Sequence, residues 1–360
     1  MSALADQGAA SAGSVRRPVA ALVIAGLVLL LAAVALGSVT VGAAGIPLSR
    51  LLAVFGVGAG DPAIVARDEL VLWSIRIPRI MLAATVGALL AAAGTAMQGL
   101  FRNPLADPAL VGVSSGAALA AAITIVASDR YAVGRLASLS FEILPLAAFC
   151  GGLITTMLLY RIATRYSRTS IAIFLLGGLA IAALANAGIG LLVFLSDDRQ
   201  LRDITFWMLG SLGGATWSKV AAIAPFLAVA VMIAGFISRG LDLLALGEAE
   251  AFHSGIAVER LKRVSIVLIA AATGAAVSVS GVIGFVGIVV PHLLRLVIGP
   301  GHRLLLPASI LLGASLMMAA DSAARVLAAP AEIPIGIITA VIGAPFFLYL
   351  LLRQRSLVSL

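Results

Sequence analysis

Long apolar runs alternate with short polar segments along most of this chain. The apolar runs fall at roughly 18–40, 76–99, 111–127, 142–161, 170–195, 217–238, 261–283, 286–298, 303–326 and 334–352. About twenty apolar residues are needed to cross the hydrocarbon core of a bilayer, so the pattern predicts an all-α, polytopic membrane protein of about ten transmembrane helices. The run at 286–298 is shorter and contains Pro291, so it can lie at membrane depth only where other helices surround it.

The segment 76–116 has the composition expected at the centre of a helical bundle. It begins with Arg76 and Arg79, continues through an uncharged stretch rich in alanine and glycine, and reaches a polar elbow at 102–104. Small residues allow helices to approach one another closely. The segment therefore predicts a central helix that other helices enclose.

Composition restricts the class of protein further. Of the 360 residues, 62% are hydrophobic and 11% are charged, whereas about a quarter of the residues of a soluble domain are charged. The 37 glycines and the aromatic content of 6% favour packed α-helices over a membrane β-barrel, which would show alternating ten-residue strands. The net charge of +8 is spread between apolar runs and forms no basic stripe, so we do not expect nucleic acid as a partner.

A single membrane domain at 18–355 is predicted, with cytoplasmic tails at 1–17 and 356–360. An even number of spans puts both termini on one side, and the arginines near both ends place that side in the cytoplasm. The first apolar run resembles a signal peptide, but its length favours an uncleaved first helix. The basic residues of the loops are only weakly biased towards the inside, so either this topology is wrong or the outer arginines have a function.

A weak internal repeat relates the second and seventh predicted spans. A shift of 187 positions aligns Arg76 with Arg263, Gly87 with Gly274, Gly94 with Gly281 and Pro104 with Pro291. The two copies would run in opposite directions, as in the inverted repeats of many transporters. Glycine is common here, so the alignment by itself leaves coincidence open.

The longest predicted cytoplasmic connection, 239–260, is amphipathic and carries both signs of charge. This pattern predicts short helices at the membrane surface, which form either a solvated loop or a docking platform for a soluble partner. The chain contains no G-x-x-x-x-G-K-[ST] motif. If transport is driven by ATP, we therefore expect a separate ATPase chain.

Five segments resemble the permease subunits of ATP-driven importers of the type II class, which take up iron chelates, haem or cobalamin. They are RIPRIMLAATVGALLAAAGTAMQGLFRNPLADPALVGVSSGAALA (76–120), TFWMLGSLGGATW (205–217), LGEAEAFHSGIAVERLKR (246–263), GFVGIVVPHLLRLVIGPGHRLLLP (284–307) and AEIPIGIITAVIGAPFFLYLLLR (331–353). The resemblance implies a ten-helix inner-membrane protein that works as a homodimer. Two ATP-binding-cassette ATPases below it and a periplasmic binding protein above it are the implied partners.

The resemblance also implies roles for individual residues. It assigns docking of the binding protein to Arg76, Arg79 and Arg325, coupling to the ATPase to Gly247, Glu248, Ala251 and Gly255, a cytoplasmic gate to Arg168, Thr169 and Ser170, and the family signature to Gln98, Asn103 and Pro104. Exposed opposite charges speed and orient docking, although each arginine could instead extend to the lipid headgroups. Thr169 and Ser170 also suit a helix N-cap.

The cargo is predicted only by resemblance, with haem first, ferric siderophores second and cobalamin third. His253, His292 and His302 are interpreted as structural residues and not as haem ligands, because two lie in family-wide patterns and one in the coupling segment. We expect no resident metal or cofactor and no catalytic residue, since no metal-ligand spacing or paired nucleophile and base occurs. The lone Cys150 excludes an intrachain disulfide, and its apolar surroundings predict a buried packing residue.

An ion-coupled secondary transporter is the alternative from another class. Such proteins carry carboxylates inside their spans as ion or proton sites. Asp321 is the one convincing candidate, and Arg325, one helical turn away, is its expected partner. A single paired aspartate supports this alternative weakly, and a coupling platform has no purpose in it.

Overall fold

The computed structural model of the protein describes residues 2–41, 46–57, 61–131, 135–165 and 168–358. Nearly all of these residues are helical. The helices are α1 (Ser2–Thr40), α2 (Leu48–Val54), α3 (Pro62–Val71), α4 (Ile77–Phe101), α5 (Val113–Tyr131), α6 (Arg135–Ala163), α7 (Ile171–Phe194), α8 (Asp198–Leu209), α9 (Trp217–Leu244), α10 (Glu248–His253), α11 (Val258–Ser280), α12 (Val286–Ile298), α13 (His302–Leu327) and α14 (Ile335–Val358).

Three shorter elements connect these helices. A π-helical turn, Leu72–Arg76, joins α3 to α4, and a 3₁₀ turn, Pro108–Val111, precedes α5. Strands β1 (Thr164–Arg165) and β2 (Arg168–Thr169) form a small antiparallel pair between α6 and α7. Residues 359 and 360 of the predicted C-terminal tail, 356–360, lie outside the described residues.

The apolar helices coincide with the predicted spans. Among the described residues, seven helices are long and apolar enough to cross a membrane, and three shorter apolar helices lie at Val113–Ser128, Val286–Ile298 and Ile335–Tyr349. The all-α polytopic class is therefore confirmed. The short run with Pro291 forms α12, in which Pro291 is buried among neighbouring helices as its length required.

Helix α4 lies at the centre of the bundle, as its composition predicted. It packs against α9, α11, α12 and α13, and every residue of α4 from Thr85 to Phe101 is buried. A Cβ atom added at Gly87 would lie 2.2 Å from the carbonyl oxygen of Gly313, and one at Gly94 would lie 2.1 Å from that of Gly287. Backbones in such close contact leave no space for a side chain, which explains the glycines.

The outer helices expose apolar side chains, as expected for contact with lipid. Ile154 and Met157 of α6 are exposed. The prediction that Cys150 is a buried packing residue was wrong, because it lies exposed on the same helix. In a membrane protein an apolar run can face hydrocarbon, so apolarity alone does not imply burial.

The connections differ from the predicted ones in two respects. The segment 239–260 contains one short separate helix, α10, as expected, but α9 continues to Leu244 and α11 begins at Val258, so the neighbouring helices take up much of the segment. Sequence reasoning also missed α2, α3 and α8. Helix α8 begins at a capping box in which the carboxylate of Asp197 accepts from Gln200 N and Gln200 Oε1 accepts from Asp197 N, a readable signal.

The repeat between the second and seventh spans is not matched along its whole length. Helices α4 and α11 are both buried and pack against each other. However, Gly94 lies inside α4 whereas Gly281 ends α11, and Pro104 lies in a loop whereas Pro291 lies inside α12. The aligned glycines and prolines therefore have different backbone conformations. The inverted repeat remains a prediction, and it is restricted to α4 and α11.

Candidate functional sites at the two ends of the bundle

A buried ion-pair cluster lies at the end of the bundle where α4 begins, which we call the arginine end. Arg79 donates to both carboxylate oxygens of Asp321. Its Nη2 lies 2.9 Å from Oδ1, and its Nε lies 3.0 Å from Oδ1 and 3.1 Å from Oδ2. Arg325 Nε lies 3.1 Å from Asp321 Oδ2. The predicted pair of Asp321 and Arg325 is confirmed, and Arg79 is a partner that sequence reasoning missed because it lies on another helix.

The same cluster extends to the surface and to α1. Arg79 Nη1 also lies 2.8 Å from Oε1 of Glu332, a half-exposed residue between α13 and α14. Arg325 Nη1 donates to the carbonyl oxygen of Val41 at 2.8 Å, and Arg76 Nη1 donates to that of Val39. The guanidinium groups of Arg79 and Arg325 and the carboxylates of Asp321 and Glu332 therefore form one cluster.

The expectation that these arginines are exposed was wrong. Arg76 is 5% exposed, and Arg79 and Arg325 are each 8% exposed. Burying a guanidinium group requires hydrogen-bonded partners that replace water, and here carboxylates and backbone carbonyls supply them. The buried arginines therefore stabilise the contacts between α1, α4 and α13.

A cavity of about 480 Å³ lies beside the start of α9. Its wall combines the rings of Phe206 and Trp207 with the charged groups of Arg199, Asp203 and Lys219. The Nζ atom of Lys219 donates to the carbonyl oxygen of Gly214 at 2.7 Å. Such a wall suits a ligand that is apolar over most of its surface and carries a few polar groups.

The signature residues build the elbow that ends α4 at the opposite end of the bundle, which we call the coupling end. Arg102 adopts a left-handed conformation with a φ of 51°, and Asn103 N donates to the carbonyl oxygen of Gln98 at 3.2 Å. The side chain of Asn103 accepts from Leu105 N at 2.9 Å, and Pro104 lies within the same turn. Asn103 therefore stabilises this turn through both its backbone and its side chain.

Gln98 also ties α4 to α12. Its Nε2 donates to the carbonyl oxygen of Gly287 at 3.2 Å, and its Oε1 accepts from Arg295 Nη1. Further along the elbow, the carboxylate of Asp107 accepts from Ala109 N at 2.7 Å. Burial raises the pKa of Asp107 above its usual range, although that hydrogen bond lowers it in part.

The histidines occupy packing and surface positions. His302 begins α13, where its N and Nδ1 lie 2.7 Å and 2.8 Å from Asp242 Oδ1 of α9. The ring of His292 packs edge-on against Phe346, and His253 is exposed on α10. The contacts of His302 join α13 to α9, which agrees with a structural role.

The predicted coupling residues form a compact turn–helix–turn around α10. Gly247 and Gly255 have φ values of 137° and 82°, which favour glycine, and they bound the helix on either side. Ala251 is fully buried, while Phe252 on the outer face is 67% exposed. The small Ala251 therefore lets α10 lie close to the bundle, and the helix presents an aromatic side chain outward.

The predicted gate residues lie at the start of α7. Thr169 of β2 pairs with Thr164 of β1, and their hydroxyl oxygens are 3.1 Å apart. Ser170 is the N-cap of α7 and accepts from Ile173 N, so the N-cap interpretation is confirmed for this residue. The side chain of Arg168 lies outside the described part of the chain.

Lys262 brings the coupling and gate residues together, and sequence reasoning did not single it out. Its Nζ lies 2.8 Å from Glu248 Oε2, 3.1 Å from Glu259 Oε1 and 3.4 Å from the carbonyl oxygen of Thr169. A groove of about 980 Å³ runs along the same region between α10 and β2. The three-residue spacing of Glu259 and Lys262 could have indicated an ion pair on one helix. The contacts of Lys262 with Thr169 and Glu248 could not be inferred from spacing.

Comparison with known proteins assigns the chain to a family. A model of the FecCD transport family matches residues 27–353. The chain is 43% identical over 335 residues to the hemin transport system permease protein HmuU of Yersinia pestis, an alignment that covers 92% of this chain and 95% of that protein. It is 44% identical over 292 residues to the cobalamin import system permease protein BtuC of Halobacterium salinarum, with 81% and 76% covered.

A solved structure agrees with these matches. An inward-facing conformation of a transporter described as a metal-chelate type ABC transporter superposes with a TM-score of 0.78 at 33% identity, and the match covers 92% of this chain and 98% of that one. The sequence and fold relationships therefore extend over the same long stretch of the chain. This multi-pass membrane protein belongs to the FecCD transport family and is a transport component without catalytic activity of its own.

Proposed function

We propose that this chain is the permease subunit of an ATP-driven importer that carries haem across the bacterial inner membrane. The observation that carries the proposal is the alignment with the hemin permease, which runs through 92% of this chain. The match to the cobalamin permease has similar identity but covers 81% of this chain. The greater coverage, together with the amphipathic cavity beside α9, favours haem, whose apolar ring carries two carboxylates.

The proposed assembly contains two copies of this chain, two ATP-binding-cassette ATPases and a periplasmic binding protein. The support on the ATPase side is the turn–helix–turn around α10, with its exposed Phe252, together with the absence of a phosphate-binding P-loop from the sequence. Exposed aromatic side chains are frequent anchors in protein interfaces. Thr169 and Ser170 would form the cytoplasmic gate in this assembly, together with Arg168.

In this proposal the binding protein docks at the arginine end, but it does not meet exposed arginines. Because Arg76, Arg79 and Arg325 are buried, an acidic group of the partner would reach the cluster by replacing Glu332, the half-exposed carboxylate on Arg79. The guanidinium group of Arg79 would attract such a group. Charge complementarity of this kind mainly speeds and orients association.

The decisive experiment is transport by the purified permease reconstituted in liposomes with its ATPase and binding protein. Uptake of haem, a ferric siderophore and cobalamin would be measured separately, with a hydrolysis-deficient ATPase as the control. We expect haem uptake that requires both ATP hydrolysis and the binding protein.

Each other outcome contradicts a different part of the proposal. Selective uptake of a siderophore or of cobalamin would retain the importer and replace haem as its cargo. Haem uptake that continues with the hydrolysis-deficient ATPase would contradict the ATP-driven class and favour an ion-coupled transporter.

A further inference from the structure

Three elements at the coupling end meet at a single buried ammonium group. The side chain of Lys262 is 3% exposed, and its Nζ contacts oxygen atoms from α10, from α11 and from β2. An ammonium group has three N–H donors, so each donor has one acceptor. The contact with Glu248, at 2.8 Å, is the shortest of the three.

The ion pair of Lys262 and Glu259 contacts both backbone polar groups of Thr169, a residue of the proposed gate. Glu259 Oε2 accepts from Thr169 N at 3.1 Å, while Lys262 Nζ donates to the carbonyl oxygen of Thr169 at 3.4 Å. Thr169 is 6% exposed, so few water molecules can substitute for these partners. The position of β2 therefore depends on where α11 places this ion pair.

The charge balance makes the arrangement sensitive to the position of α10. Two carboxylates, Glu248 and Glu259, share one ammonium group, and like charges repel when the cation between them is removed. A movement of α10 that withdrew Glu248 would leave Lys262 with one carboxylate instead of two. The remaining contacts with Glu259 and Thr169 would then rearrange, because hydrogen bonds in such networks influence one another.

We infer that Lys262 is a positioning residue that links the coupling helix α10 to the gate residue Thr169. The inference rests on the proposed function, since it assumes that α10 contacts an ATPase and that β2 borders the path of the cargo. Helix α11, which packs against both α10 and β2, is the rigid element that connects them. Lys262 thus makes the opening of the gate depend on the position of α10.

The test replaces Lys262 with methionine, which keeps the length of the side chain and removes its charge. In proteoliposomes with the ATPase and binding protein, we expect Lys262→Met to lower the cargo transported per ATP hydrolysed by about tenfold, a typical size for coupling between sites. ATP hydrolysis should continue. Lys262→Arg should restore most of the ratio, and Arg263→Met, a change at an exposed neighbour, should leave it unchanged.

A double substitution tests whether the two residues act on one path. Glu248→Gln should lower the same ratio, and Lys262→Met combined with Glu248→Gln should be no worse than Lys262→Met alone. Multiplied effects, or a wild-type ratio in Lys262→Met, would overturn the inference. If Lys262→Met fails to assemble, Glu248→Gln decides the matter, because its half-exposed side chain can change without a buried vacancy, and a wild-type ratio would again overturn the inference.

A second measurement separates this inference from the proposed function. Hydrogen exchange of the purified permease, followed by mass spectrometry of the peptide containing residues 164–170, should be faster in Lys262→Met than in Arg263→Met. Equal exchange would contradict the link to Thr169 even if transport of every cargo failed. Absence of ATP-dependent uptake by the wild type would contradict the proposed function alone.

Discussion

At the scale of single residues, the charged side chains of this protein fall into buried and exposed pairs with different consequences. Asp321 is 2% exposed and lies between Arg79 and Arg325, whereas Asp203 is 45% exposed and 4.0 Å from Arg199. Removing one partner of a buried pair leaves an uncompensated charge. An exposed pair loses little because water replaces the partner.

The substitution Asp321→Asn is therefore expected to destabilise the protein by about 3–5 kcal/mol. The matched change Asp203→Asn, also in an i,i+4 pair with arginine, should cost about 0–1 kcal/mol. Thermal unfolding in detergent, followed by loss of the monodisperse peak, would compare the two. Equal shifts in the unfolding temperature would show that the cluster is less important for stability than its burial indicates.

The sequence indicated which charged residues could pair within one helix, but it did not indicate their partners on other helices. The pair of Asp321 and Arg325 was predictable because one helical turn separates them. Arg79 is 242 positions from Asp321, and only the packing of α4 against α13 brings them together. The expectation of exposed arginines failed for the same reason, since their buried acceptors belong to distant segments.

At the scale of helices, glycines set how closely α4 approaches its neighbours. Gly94 of α4 faces the backbone of Gly287 in α12, with no space for a methyl group between them. Gly235 of α9 is also inside a helix, but among the described residues no atom beyond its own stretch of helix lies within 4 Å of the position its Cβ would take. These two sites provide a matched pair of glycines.

We expect Gly94→Ala to destabilise the protein by about 1–3 kcal/mol, because α12 must move away from α4. Gly235→Ala should be neutral or slightly stabilising, since alanine favours the helix over glycine. The midpoint of thermal unfolding in detergent would measure both. A neutral Gly94→Ala would mean that α12 shifts easily, which contradicts close packing as the reason for this glycine.

The sequence predicted that the long apolar helices exist, but it predicted their first and last residues less well. The apolar runs gave the spans because membrane crossing depends on local composition. The continuation of α9 to Leu244 and the start of α11 at Val258 were instead assigned to the surface connection 239–260. These turns are stabilised by packing against α10, which the local sequence does not reveal.

At the scale of the whole molecule, the arginine end presents a half-exposed carboxylate, Glu332, that is paired with the buried Arg79. If an acidic partner replaces Glu332 on Arg79, neutralising Glu332 should strengthen binding. We expect Glu332→Gln to raise affinity for the binding protein about tenfold at low salt, since electrostatic couplings of close charges reach at least 1.5 kcal/mol. High salt should reduce the gain through screening.

Surface plasmon resonance with permease in nanodiscs would measure this affinity. Glu69→Gln, which removes an exposed carboxylate in α3, controls for the change in net charge alone. A wild-type affinity in Glu332→Gln would contradict replacement of Glu332. A gain of the same size in both variants would also contradict it and would indicate long-range attraction without a specific site.

The sequence by itself determined that this is an all-α membrane protein, which helix is central and which segments resemble an importer permease. These properties depend on composition, hydrophobic period and motifs, each contained within a short stretch of chain. Only the tertiary structure decided that Arg79 is buried against Asp321 and Glu332, and that Lys262 contacts both Glu248 and Thr169. Such contacts arise from how helices cross, and the crossing depends on the packing of the complete bundle.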